Sequence, residues 1–467
     1  MSVFDYKIER FTGLDQSLDE ALIPPGASPD EMNMDTSGGR LSTAAGFAPL
    51  FPAALPGTAA IDALSVFHTA DKDIFVAIAD GTIYTCNGVG GWHTLYTYGV
   101  SPENARYCFA PVQIDGDDYL LIANGRDRIL KFDGVNLAEF GSEEGCSDIA
   151  CAYAVTYRSR LFAAGDGEHP NRLYYSQLPG SGRTVEDWGY VQASPAVEGG
   201  HVEIGAAAGD PITGLASLSN QLLIFKKHSL YRLIGDRPGN FTVERISSAA
   251  SHAANTACAV CDDAVYYLTE KGFCCFNGVD AAPLPDAERI CQIMKRADLR
   301  GSAMAAVGGR LYALLSVSGA RRLIEYDIRE RRYLQFGGFA PYGIMEYEGR
   351  LALIASTRRV CIWGSGGSFD GEPIAAYWRT PETDLGDRAC IKCPQLLYLR
   401  GEGELIAAST VGGVCEERRV RLLPGVTELP LKNEGRTLEL MFSNESGKAF
   451  RLNGGLQLAM SLRRRTE

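Results

Sequence analysis

Thirteen cysteines and six histidines are the residues of this 467-residue chain best equipped for chemistry. Cys258 and Cys261 stand three apart, with Cys274 and Cys275 close behind, a density of thiolates able to close a tetrahedral zinc site. In a strand, however, side chains alternate between faces, so residues three apart point opposite ways, as adjacent ones do. The pattern therefore predicts core thiols. Cys390 and Cys393 meet the same objection and have no second pair nearby. The histidines (His68, His93, His169, His201, His228 and His252) are scattered singly, with no Gly-x-Ser-x-Gly elbow and no His-Glu-x-x-His. Asp115, Asp117 and Asp118 resemble calcium ligands, but the downstream bidentate glutamate is missing and a hairpin turn explains them. Gly88, Gly90 and Gly91, like Gly364, Gly366 and Gly367, follow strands and open no helix, so they predict turns rather than a phosphate cradle. No residue is assigned a catalytic, cofactor-binding or metal-binding role, and the chain is expected not to be an enzyme.

What these residues sit on is better defined. A pattern of two apolar strands followed by a third that ends in a turn recurs seven times between about Ala63 and Trp363. Its third strands end in the turn motif Asn87-Gly88, Asp133-Gly134 and Asn277-Gly278, with Asp327 in a weaker copy. The spacing from Asn87 to Asp133 and from Asn277 to Asp327 is that of one propeller blade. The middle strands, such as Ile74–Ala79 and Leu311–Leu315, are continuous apolar runs, as expected where both faces pack on neighbouring blades. Small-residue strands such as Ser302–Val307 suit the crowded axis. The segment 286–300 predicts a short helix capped by Asp286, with Ile290, Ile293, Met294 and Leu299 on one face.

The expectation is an all-β chain: an extended N-terminal arm over 1–58, a seven-bladed β-propeller over 59–373 and a small C-terminal β-sandwich over 374–467. In the last segment, Gln395–Leu399, Glu404–Ala408, Thr437–Phe442 and Leu456–Met460 read as strands. Hydrophobic residues at 46% and charged residues at 22% describe a globular chain. The early apolar stretch after Phe47 is broken by Pro49, Pro52 and Pro56, so no membrane span is expected. The N-terminus has no signal-peptide layout, and the cysteines suit a reducing cytoplasm. A net charge of -12 argues against a nucleic-acid coat but is compatible with an acidic channel through which DNA slides without sticking.

The arm runs from Leu22 through Pro24, Pro25, Asn33 and Asp35 to Gly39, Arg40 and Phe47. With Asn171–Ser176, Glu186–Trp188 and Leu230–Leu233, it resembles the propeller-type virion proteins of tailed bacteriophages and prophages: tail-tube, nozzle or DNA-stabilisation components. The resemblance implies a structural role in tail or head-tail junction assembly, as an oligomeric ring. The expected partners are portal, adaptor or tail proteins and further copies of the chain, with passive contact to genomic DNA during DNA ejection. The expected location is the virion, after synthesis in the host bacterial cytoplasm. Pro24, Pro25, Asn33, Asp35 and the basic run Arg463, Arg464 and Arg465 are the candidates for assembly contacts. Two alternatives stay open: a carbohydrate- or receptor-binding propeller at the virion tip, or a propeller hydrolase or lyase.

Overall fold

The computed structural model describes residues 2–17, 19–99, 107–141, 150–180, 182–187, 199–205, 209–247, 257–444 and 447–464. Seven four-stranded antiparallel sheets form the propeller. Six are continuous in sequence, at 61–97, 108–139, 153–203, 212–247, 258–283 and 297–336. Blade seven takes three strands from 343–363 and its outer strand, Phe47–Ala54, from the N-terminal segment. Pro49 and Pro52 are tolerated there because a proline that cannot donate to a ladder is harmless at a sheet edge. A stretch expected to belong to the arm thus closes the ring.

Continuous apolar runs make this closure necessary. In blade one, Val76, Ala77 and Ile78 are all fully buried, so both faces of the blade demand a neighbour. Aromatic pairs mark most interfaces: Phe67–Phe132 at 5.8 Å between blades one and two, and Phe162–Phe241 at 5.8 Å between three and four. Phe225–Tyr267 at 5.1 Å, Phe273–Tyr326 at 6.3 Å and Phe336–Trp363 at 4.9 Å continue the series to blade seven. Phe51, on the borrowed strand, meets Phe75 of blade one at 5.2 Å and completes the circle. Edge-to-face and offset pairs of this kind add to area burial.

The chain ends meet in a second, ten-stranded sheet. Its spine is the 22-residue strand Cys390–Val411, which unites two stretches expected as separate strands. The first half pairs with Phe450–Arg464 and Thr427–Pro430, the second with Leu438–Ser443 and Val414–Arg421. Between the halves the register shifts at Leu399/Gly401, and Gly403 has φ +93°, which lets the strand pass from one layer to the other. Gly401 has no room for a side chain, since a Cβ there would lie 1.9 Å from the Arg451 carbonyl oxygen. The N-terminal segment supplies Ser2–Ile8, Asp30–Met32, Met34–Asp35 and Leu41–Thr43 to the same sheet, with Ser2 opposite Leu462. One apolar core, from Leu314, Leu334 and Phe336 to Trp378, Phe442 and Leu458, joins this sheet to blades six and seven.

The helix expected over 286–300 is shorter. A 3-10 turn, Ala287–Ile290, leads into a single α-turn, Cys291–Met294, and the Asp286 side chain makes no capping hydrogen bond. Ile290, Ile293 and Met294 are buried as expected, but Leu299 lies in the strand Ala297–Val307, whose pairing of Ala297 with Val317 extends blade six.

Phe47 anchors the borrowed strand, being 1% exposed and packed on Phe339 and Phe369 at 5.2 Å each. Phe47→Ala is expected to destabilise the protein by about 3–5 kcal/mol. Chemical denaturation followed by tryptophan fluorescence checks this, Trp363 lying 6.2 Å from Phe47. A loss below about 1 kcal/mol would show that the borrowed strand does not hold the ring together.

Candidate functional site: the channel and the strapped arm

The blade turns are built alike. Asn87, Asp133, Asn277 and Asp327 each turn a side-chain oxygen back on the backbone two or three residues ahead. Asp133 accepts from Val135 N at 2.7 Å and Asn136 N at 2.6 Å; Asn277 accepts from Val279 N at 3.0 Å and Asp280 N at 2.9 Å. Asn87 accepts from Val89 N at 3.2 Å, and Asp327 from Arg329 N at 3.0 Å and Glu330 N at 2.8 Å. These are Asx turns, and Gly88, Gly134 and Gly278 follow in the left-handed region at φ +79°, +98° and +90°. The motif residues shape turns. They do not converge on a common site.

The innermost strand of each blade lines the central channel, and its composition sets what the channel can hold. Across all seven, the acidic and basic residues are Asp62, His68, Asp298, Arg300 and Glu346; the inner strands of blades two to five have none. The wall is made of small, apolar or uncharged groups such as Thr156, Ser217, Ala259 and Ala303. These strands carry three acids against Arg300 and His68, so they give the lumen little charge of either sign.

At one end the channel opens into a cavity of about 240 Å³ lined by Asp62, Tyr107, Cys108, Cys258, Ser302 and Tyr342. Burial raises the Asp62 carboxyl above its usual range, raises the Tyr107 hydroxyl, and pushes the Cys258 thiol up to about 12. At neutral pH that thiol stays protonated and is a poor nucleophile and metal ligand. Among the described residues no three His, Cys, Asp or Glu side chains are grouped to hold a metal, and the described cysteines form no disulfide. Cys258 and Cys261 lie in one strand opposite Tyr267 and Ala264, as core and rim groups rather than a ligand pair. Asp115, at φ +52°, and Gly116, at φ +94°, form the tight hairpin turn expected of them.

The densest polar cluster lies where the arm crosses blade six. The outer edge of the strand Arg332–Phe336 presents backbone groups at alternate residues, and the arm satisfies them in turn. Leu14 N donates to Tyr333 O at 2.8 Å, and Asn33 N to Gln335 O at 3.0 Å. Gln335 N donates to the Glu31 carboxylate at 2.7 Å, and Gly337 N to Asn33 Oδ1 at 2.9 Å. Asn33 Nδ2 donates onward to Gly337 O at 3.0 Å and Ala375 O at 2.7 Å, joining arm, blade and C-terminal sheet in one side chain. Its backbone sits at φ +56°, a conformation asparagine tolerates better than most residues. Below, buried Arg332 donates to Thr36 Oγ1 at 2.9 Å and Ser37 Oγ at 2.8 Å, and Glu325 lies between Arg310 at 3.5 Å and Arg332 at 3.9 Å.

This changes what the assembly candidates can do. Asn33, at 2% exposed, is engaged within its own chain, and Asp35 accepts from Ser37 and pairs with Arg332 at 3.4 Å. Pro24 and Pro25 are exposed, beside Leu22 at 69% exposure. Arg463 pairs with Glu434 at 2.9 Å and Arg464 with Asp387 at 3.6 Å, while Arg465 lies outside the described residues, as does Trp188. Glu31 and Gln335 were not singled out by sequence, because nothing in a local pattern links groups 304 positions apart.

These features define a seven-bladed propeller whose two ends are woven into one accompanying sheet. No protein-family model matches the chain, and no curated protein matches it significantly. Among solved structures, PorZ of the type-IX secretion system of Porphyromonas gingivalis aligns with 70% of this chain and 42% of its own, at 12% identity and TM-score 0.38. The extracellular domain of a hybrid two-component system from B. thetaiotaomicron aligns with 68% and 40%, at 15% identity and TM-score 0.41. The Neurospora crassa Pan2 WD40 domain aligns with 66% and 89%, at 10% identity and TM-score 0.40. This chain thus spans about two fifths of the first two. At these identities the likeness concerns architecture alone.

Glu31 is fully buried, and desolvation, reinforced by neighbouring Asp30 and Glu325, holds its carboxyl well above the usual range despite the hydrogen bond from Gln335. The folded state therefore holds this proton more tightly than the unfolded one. Its contribution is intact below pH 4.5 and is lost as pH rises toward the folded value. Glu31→Gln should remove that slope, about 1.4 kcal/mol per pH unit, and stabilise the protein at pH 8 relative to wild type. Denaturation midpoints at pH 5 and pH 8 test it. Equal pH dependence in both proteins would exclude the linkage.

Proposed function

We propose that this chain is a non-catalytic structural subunit of a tailed-phage or prophage virion, set in the tail or head-tail junction and assembling with further copies into a ring. The observation that carries the reading is the weave of the chain ends. The first strand pairs with the last, and the N-terminal segment closes the seventh blade and straps the sixth. Such a body transmits force across its whole width without relying on any one blade interface. The arm sequence that resembles phage propeller proteins supplies this strap, and its exposed tip at Leu22, Pro24 and Pro25 offers an apolar contact for a neighbour.

Particles purified from an induced host lysogen provide the test. Peptides of this chain should be recovered by mass spectrometry at a constant copy number relative to the portal protein, and immunogold against it should label the tail or neck. Recovery only from the particle-free lysate would overturn the proposal.

A further inference from the structure

A second concavity lies between blades one and two. There the inner strands Ile61–His68 and Cys108–Ile114 leave a cleft of about 310 Å³, at the small end of the range for ligand pockets. Its floor is apolar, built from Phe67 and Leu120, each at most 4% exposed, with Phe109 as a half-buried wall. The turn at Gly134 packs on Phe67, Thr69 and Ile74 and shuts one end.

The rim has the opposite character. Two hairpin turns beside it, at 69–73 and 114–118, carry Asp71, Asp73, Asp115, Asp117 and Asp118 along with Lys72; of the charged groups Asp118 and His68 line the cleft itself. Asp73 is engaged, bound to His68 Nδ1 at 2.7 Å and to the Tyr347 hydroxyl at 2.9 Å. Asp118 accepts a hydrogen bond from Gln113 at 3.4 Å, but neither it nor Asp71, Asp115 or Asp117 has a cationic partner among the described residues. Carboxylates without counterions favour a cation arriving from outside. A nucleic acid or an acidic surface would be repelled.

We propose that this cleft docks a basic segment of a partner protein, with one large apolar side chain seated between blades one and two and flanking lysines or arginines facing the aspartates. The apolar floor supplies the anchor pocket that interfaces use, and the rim selects the charge of the partner. The inference stands whether or not the chain is a virion component.

The test uses the full chain and fluorescein-labelled peptides in which four lysines flank a central leucine. Two controls replace the lysines by glutamates or the leucine by serine. Anisotropy should show saturable binding of the lysine–leucine peptide alone, weakening as salt is raised. The exposed pair Asp117→Lys with Asp118→Lys, and separately Phe109→Ala, should each weaken binding by about tenfold or more while the thermal midpoint stays within a few degrees of wild type. Equal binding of the serine peptide, or affinity unmoved by both variants, would overturn the proposal. So would the absence of any peptide binding, including the case in which a panel of pyranose sugars occupies the cleft instead.

Discussion

A blade that is apolar on both faces cannot face water, and that constraint governs the rest of the molecule. Each sheet needs a partner on either side, so seven sheets are stable together only as a closed circle. The circle has one seam, and the strand Phe47–Ala54 crosses it. Arg358 reinforces the crossing by donating hydrogen bonds to the carbonyls of Leu55, Pro56 and Ala59, on the path from blade seven into blade one. The accompanying sheet follows from the same need. Once the N-terminal segment has been drawn to the seam, its remaining strands lie against blade six and the C-terminal strands, and their apolar faces merge into one core.

Sequence carried the blades well because their signal is local. A middle strand such as Tyr119–Ala123, a turn such as Asp133-Gly134 and a third strand ending in Phe132 lie within a few residues of one another. Backbone geometry translates each into a hairpin with little dependence on context. The conformations at Asp115 and Gly116 are what those residue types predict.

The rest was hidden for two physical reasons. Edge strands relax the rules that make strands recognisable, so with Pro49 and Pro52 the stretch Phe47–Ala54 read as part of the extended arm rather than of a blade, although both prolines are harmless there. Long-range polar contacts leave no local trace either. Asn33 and Glu31 look like ordinary surface residues until Gly337 and Gln335 arrive from the far side of the chain. The merger of two expected strands into Cys390–Val411 has a similar origin: glycines at 401 and 403 suggest a break, whereas here they permit a bend.

The pairing of Ser2 with Leu462 also bears on the order of events at the ribosome. The strand Ser2–Ile8 must wait for Phe450–Arg464, and the seam strand must wait for blade seven, so both emerge long before their partners. Six blades can stack as they appear, but the ring and the accompanying sheet close only once the strands at 343–363 and 450–464 have followed. A product cut short before blade seven would therefore expose the raw face of blade one.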